Sequence, residues 1–129
     1  GWMPFPLRLL AQSAEHLPFA DAGFDAVVVT WTLCSIPDPL AALAEARRVL
    51  RPGGRLHFVE HGAADDGATC RWQTRLTPVW QRVAGGCHLD RRPDRLLQAA
   101  GFALAGLEVG RLVAGPKLST WHYRGIAVR

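Results

Sequence analysis

Cysteine is scarce: Cys34, Cys70 and Cys87 are the only three in 129 residues. An odd, widely spaced set does not make the disulfide framework of a small secreted domain, and it reads as reduced thiols in a cytoplasmic protein. Long apolar runs are missing too. None approaches the ~20 residues of a membrane-spanning helix, and residues 1–6 lack the basic-then-apolar order of a secretory signal. Neither charge dominates, since 15 Lys+Arg against 11 Asp+Glu leave +4. Part of that excess, Arg47, Arg48 and Arg51, ends a predicted helix, where cations suit the negative end of the dipole. No aromatic–basic recognition motif accompanies it, so no nucleic-acid partner is expected. Repeats, low-complexity tracts and linkers are also absent from the sequence. What is present is globular composition, 49% apolar and 20% charged. The length fits one domain, 1–129, with a substantial core.

The chain alternates strand and helix signals. Leu7, Leu9 and Leu10 suggest a short buried strand, and Asp21-Ala22-Gly23 a turn. Residues 24–36, FDAVVVTWTLCSI, are rich in β-branched and aromatic residues without Gly or Pro. The continuous run Ala26-Val27-Val28-Val29 predicts a strand covered on both faces, as in parallel sheets. Asp38 and Pro39 open a helix as cap and first residue, and Arg51-Pro52-Gly53-Gly54 stops it. Residues 55–60 form the next strand and residues 62–67 a loop. A helix over 69–84 must be kinked or split by Pro78, and Gly85-Gly86 ends it. Pro93 begins a short helix over 93–100, followed by strands over 102–112 and 120–128. The fold class is therefore α/β. Its first part implies a mostly parallel sheet with right-handed crossovers, and its last two strands imply an antiparallel hairpin at one edge.

This order resembles the C-terminal part of a class I S-adenosylmethionine-dependent methyltransferase, a partial Rossmann-like doubly wound sheet. The residues that carry the resemblance are Ser13-Ala14-Glu15-His16-Leu17-Pro18-Phe19, Phe24-Asp25-Ala26-Val27-Val28-Val29 and Arg48-Val49-Leu50-Arg51-Pro52-Gly53-Gly54. More narrowly the chain is similar to the small-molecule branch of ubiquinone-biosynthesis-type and thiol-methyltransferase-like enzymes. Leu33-Cys34-Ser35, Glu60-His61, Trp72-Gln73, Pro78-Val79-Trp80 and Gly86-Cys87-His88-Leu89 carry that likeness. The family's first strand bears a glycine-rich GxGxG loop. No GxG occurs in this sequence, so the resemblance implies a methyltransferase domain without its first strands and glycine loop: a truncated product, a fragment or half of a split enzyme.

The resemblance assigns roles. Ser13, Ala14 and Glu15 would lie along the adenine edge of S-adenosylmethionine, or else merely solvate a turn. Thr30 and Trp31 would face the methionine portion of the cofactor, with Trp31 either a pocket wall or a core residue. Glu60 and His61 would face the acceptor, where His61 could take a proton at neutral pH or remain a loop histidine. Cys34, Trp72, Trp80 and His88 would line the substrate pocket, and Phe102 could join the two tryptophans. Ordinary packing is the other reading for Cys34, Trp72, Trp80 and Phe102. Cys87-His88 lacks a second Cys/His pair at zinc spacing, so no metal is expected. Arg91, Arg92 and Arg95 read as a solvated helix start.

Two functions follow. One is methyl transfer from S-adenosylmethionine to a small, fairly apolar acceptor. The other is a non-catalytic module that self-associates through an exposed sheet edge or docks on a fuller partner.

Overall fold

The computed structural model describes residues 4–129. Seven elements follow in order: β1 (Phe24–Thr30), α1 (Pro39–Val49), β2 (Leu50–His61), α2 (Gly67–Val83), α3 (Pro93–Ala99), β3 (Ala103–Arg111) and β4 (Trp121–Val128). The sheet order is β1-β2-β4-β3. β1 and β2 are parallel, joined through α1. β4 lies between β2 and β3 and is antiparallel to both. The α/β, Rossmann-like reading and its terminal hairpin are borne out.

Local chemistry accounts for the helix ends. Asp38 accepts from the Ala41 amide at 2.9 Å to cap α1, Pro39 is the first helical residue, and Arg47 and Arg48 occupy the last turn. Ala42, Leu43, Ala46 and Val49 recur at helical spacing and are buried against the sheet. Asp66 caps α2 through the Thr69 amide at 2.8 Å. The α2 helix continues through Pro78 and is not split. Close by, the Thr77 hydroxyl donates to the Gln73 carbonyl at 2.8 Å.

The core lies on one face of the sheet. Leu56 and Phe58 of β2, with Tyr123 and Ala127 of β4, point toward the helices and meet Leu43, Ala46 and Leu97. Strand alternation sends His57, Val59 and His61 to the opposite face, beside Arg124, Ile126 and His122.

Three expectations are corrected. Residues 7–10 form no strand: Leu9 is 85% exposed and Leu7 57%. An isolated strand leaves its amides and carbonyls without partners, and no described strand lies beside β1 on that side. β1 ends at Thr30, as expected, where Trp31 turns the chain at φ 45. β1 is covered on one face only, with Val28 71% exposed. β2 begins at Leu50 rather than at residue 55. Its pairing passes from Phe24↔Leu50 to Ala26↔Arg55, so Arg51-Pro52-Gly53-Gly54 forms an excursion within the strand. Gly53 takes φ 77 there.

Candidate active site

The site lies where the parallel pair β1 and β2 ends, the usual ligand position in open α/β sheets. Glu60, the penultimate residue of β2, is fully buried. Its Oε1 accepts from the Thr32 amide at 2.9 Å and its Oε2 from the Leu33 amide at 3.0 Å. Burial pushes this carboxyl up to about 7, while the two amides pull the other way. Both oxygens accept from the turn after β1, so Glu60 braces that turn. On the turn's other side the Arg91 guanidinium donates to the Leu33 and Ile36 carbonyls, each at 2.6 Å. Arg91 is thus a clamp, not a solvated helix start, and burial lowers its pKa. Arg92 pairs with Asp94 at 3.0 Å and lies over the Tyr123 ring.

His61 and His122 are direct partners across β2 and β4, with ring centroids 5.7 Å apart. His122 Nδ1 lies 2.8 Å from the Thr120 carbonyl, and its Nε2 accepts from the Trp31 indole at 2.9 Å. The first contact needs a donor and the second an acceptor, so His122 is neutral with its proton on Nδ1. His61 Nδ1 lies 3.4 Å from Cys87 Sγ, and its buried Nε2 has no partner. Cys34 completes the group: its Sγ, Cys87 Sγ and a His61 nitrogen all lie within 4.8 Å of one another. The hydrogen bond between the two thiols, followed by burial, pushes Cys34 up to about 12. The same bond brings Cys87 down to about 7.

These side chains border a cavity of about 290 Å³ walled by Trp31, Cys34, His61, Trp80, Cys87 and His122. The buried Trp80 indole nitrogen is unpaired. Of the expected pocket residues, Cys34 and Trp80 are here. Trp72 is not: it is 55% exposed on α2, with the Arg75 guanidinium over its ring at 5.7 Å. His88 is not either, because its ring and amide both engage the Cys34 carbonyl, at 3.1 and 2.7 Å. Phe102 belongs to the core. Sequence reasoning missed His122, the Arg91 clamp and Gln73. Gln73 is fully buried, accepts from the Ala64 amide and donates to the Gly62 and Leu118 carbonyls. The available signal for Gln73 was the row Thr69, Gln73 and Thr77, four residues apart, which is the buried face of α2. For His122 it was the cross-strand register.

Residues 2–58 match the family model described as a methyltransferase domain. The chain is 41% identical over 103 residues to the thiol S-methyltransferase TMT1B of Rattus norvegicus, covering 78% of this chain and 42% of that one. It is 37% identical over 124 residues to the human thiol S-methyltransferase TMT1A, covering 95% and 51%. The chain belongs to the class I S-adenosylmethionine-dependent methyltransferase family. It spans about half the length of the curated relatives it matches. A solved family fold, the 1,6-didemethyltoxoflavin-N1-methyltransferase of Burkholderia thailandensis with bound S-adenosylhomocysteine, superposes at TM-score 0.64 with 20% identity. That match covers 95% of this chain and 50% of the other.

The methyltransferase fold puts the residues expected at the cofactor around the end of β1. Ser13 is exposed, and its Oγ accepts from the Glu15 amide at 3.2 Å. Ala14 borders a second cavity of about 260 Å³ beside Val28, Thr32 and Leu33. Glu15 Oε1 accepts from the Asp38 amide at 3.0 Å. The Thr30 carbonyl accepts from the Thr32 hydroxyl at 2.8 Å. Ala14 therefore faces this hollow, Ser13 is exposed outside its lining, and Glu15 is partly spent on holding α1. The hollow lies between β1 and α1, with Val27, Val29, Ala42, Leu43 and Ala46 in its walls.

Proposed function

We propose that this chain carries the acceptor side of an S-adenosylmethionine-dependent methyltransferase acting on a small, fairly apolar thiol. The observation that carries the reading is the cavity at the end of the parallel pair, where Trp31 and Trp80 supply apolar walls and His61, Cys34 and Cys87 the reactive floor. The thiol S-methyltransferases among its relatives support sulfur as the acceptor atom.

S-adenosylmethionine supplies an electrophilic methyl group when bound. The chain's own residues do the positioning, which is the larger part of catalysis in such a transfer. Ser13 and Ala14 would hold the adenosine, Thr30 and Trp31 the methionine portion. The two tryptophans would exclude water and orient the acceptor's alkyl part, and His61 would stand beside its reacting atom. Glu60 acts through the turn that it braces.

The test is transfer of a labelled methyl group from S-adenosylmethionine to 2-mercaptoethanol, with S-adenosylhomocysteine affinity measured by calorimetry. The thiol should be methylated. His61→Ala should lower turnover by about tenfold or more while cofactor affinity changes by less than about twofold. Methylation of amines or phenols but not of thiols would overturn the reading.

A further inference from the structure

Three donor atoms from separate stretches converge in the cluster: Cys34 from the turn after β1, His61 from the end of β2 and Cys87 from the loop after α2. A tetrahedral zinc-type ion binds sulfur at about 2.3 Å and imidazole nitrogen at about 2.0–2.1 Å. Such an ion sets its sulfur and nitrogen ligands about 3.6 Å apart and two sulfurs about 3.8 Å apart. The 3.4 Å between Cys87 Sγ and His61 Nδ1, and the 4.8 Å limit on all three atoms, match that shape with little movement. We propose that Cys34, His61 and Cys87 bind a soft divalent cation of the zinc type, with the fourth position open to the cavity and taken by the acceptor's thiolate.

The donor set decides the class of ion. Two thiolates and an imidazole suit zinc or cobalt and not magnesium or calcium. The ligands are also held in place. Glu60 and Arg91 fix the turn that carries Cys34, and the His88 amide holds the Cys34 carbonyl. Such outer contacts orient ligands at metal sites. His122 does not supply the fourth ligand, because Trp31 and Thr120 occupy its two nitrogens. Three protein ligands beside a cavity is the arrangement of a metal site that binds a substrate.

This inference rests on the thiol-methylation reading and names how the acceptor is activated. A thiol that ligates through sulfur gives its proton to solvent. A sulfur lone pair then forms the new S–CH₃ bond. The bond from that methyl carbon to the cofactor's sulfonium sulfur breaks, and its electron pair stays on the cofactor sulfur. The neutral thioether product is a weak ligand and leaves.

Titrating the reduced, metal-stripped chain with Co²⁺ tests the proposal. A thiolate-to-cobalt band in the near ultraviolet and strong visible bands of tetrahedral cobalt should saturate at one ion per chain. Cys34→Ser, His61→Gln and Cys87→Ser should each weaken binding by about tenfold or more, while Cys70→Ser should not. Adding 2-mercaptoethanol should shift the visible bands. No saturable spectrum from the unaltered chain, or one that survives in the Cys34→Ser/Cys87→Ser double variant, overturns the proposal. An unmoved spectrum with 2-mercaptoethanol overturns the open position. S-adenosylhomocysteine calorimetry on the same sample separates failure of this site from failure of the methyltransferase reading, since cobalt binding without cofactor binding would sink only the latter.

Discussion

The two faces of the sheet are built from the same strands and differ in what covers them. On the helix side Leu56, Phe58, Tyr123 and Ala127 are at most 2% exposed. On the other side Val28 is 71% exposed and Leu107 43%, around a shallow hollow of about 540 Å³ floored by Val28, Val59 and Ile126. Alternation alone cannot separate these faces, since both carry apolar residues. The separation comes from α1 and α3, which pack on one side, while among the described residues nothing covers the middle of the other. Only at its upper end, where α2 finishes, does the open face gain cover. That is where His61 and His122 become buried. The site therefore lies at the corner where the end of α2 begins to cover that face.

The contrast can be broken by substitution. Phe58→Ala, on the covered face, should cost about 3–5 kcal/mol in a denaturant titration. Gly62→Ala should cost about 1–3 kcal/mol, because a Cβ there would lie 2.7 Å from the Tyr123 ring and 2.8 Å from the Arg91 carbonyl. Glu60→Gln should also cost about 1–3 kcal/mol by turning a donor toward a buried amide. Its protection loss in hydrogen exchange should centre on Thr32 and Leu33. Val28→Thr, on the open face, should change stability by less than about 0.5 kcal/mol. A loss above about 1 kcal/mol would mean that something covers this face in solution.

The mildest effect is local and depends on pH. Glu45 lies on α1, and its carboxyl is held at about 2 rather than 4.5 by Arg48 first and by the Leu17 amide next. Arg48 in turn donates to the Leu17 and Phe19 carbonyls and to Asp21. A depressed carboxyl contributes its anchoring above its unfolded pKa and loses it as pH falls through the folded one. Residues 17–21 should thus stay docked at pH 7 and release between about 4.5 and about 2. The Leu17 amide resonance should report this while those of β2 stay unchanged.

The sequence made the order of elements legible because their signals are local: the Asp38-Pro39 start of α1, the apolar run of β1 and the turn residues before β4. It also placed Glu60 and His61 beside each other at the end of a strand. What escaped it is non-local. The turn after β1 is held by Glu60, whose oxygens take amides 27 and 28 residues earlier in the chain. The choice of Trp80 over Trp72 depends on which face of α2 meets the sheet. Leu7, Leu9 and Leu10 have strand-like composition, but a strand needs a neighbour. In the sequence Cys87 stands beside His88, whereas the fold pairs it with His61, 26 residues away.

The position of β4 has a consequence for how the molecule assembles. β3 precedes β4 in the chain, yet among the described residues its only ladder is the one it makes with β4. It joins the sheet only through the segment that follows it. When that segment zips against β2 it brings His122 opposite His61 in the same motion. Closure of the sheet and the meeting of the two imidazoles are then one event.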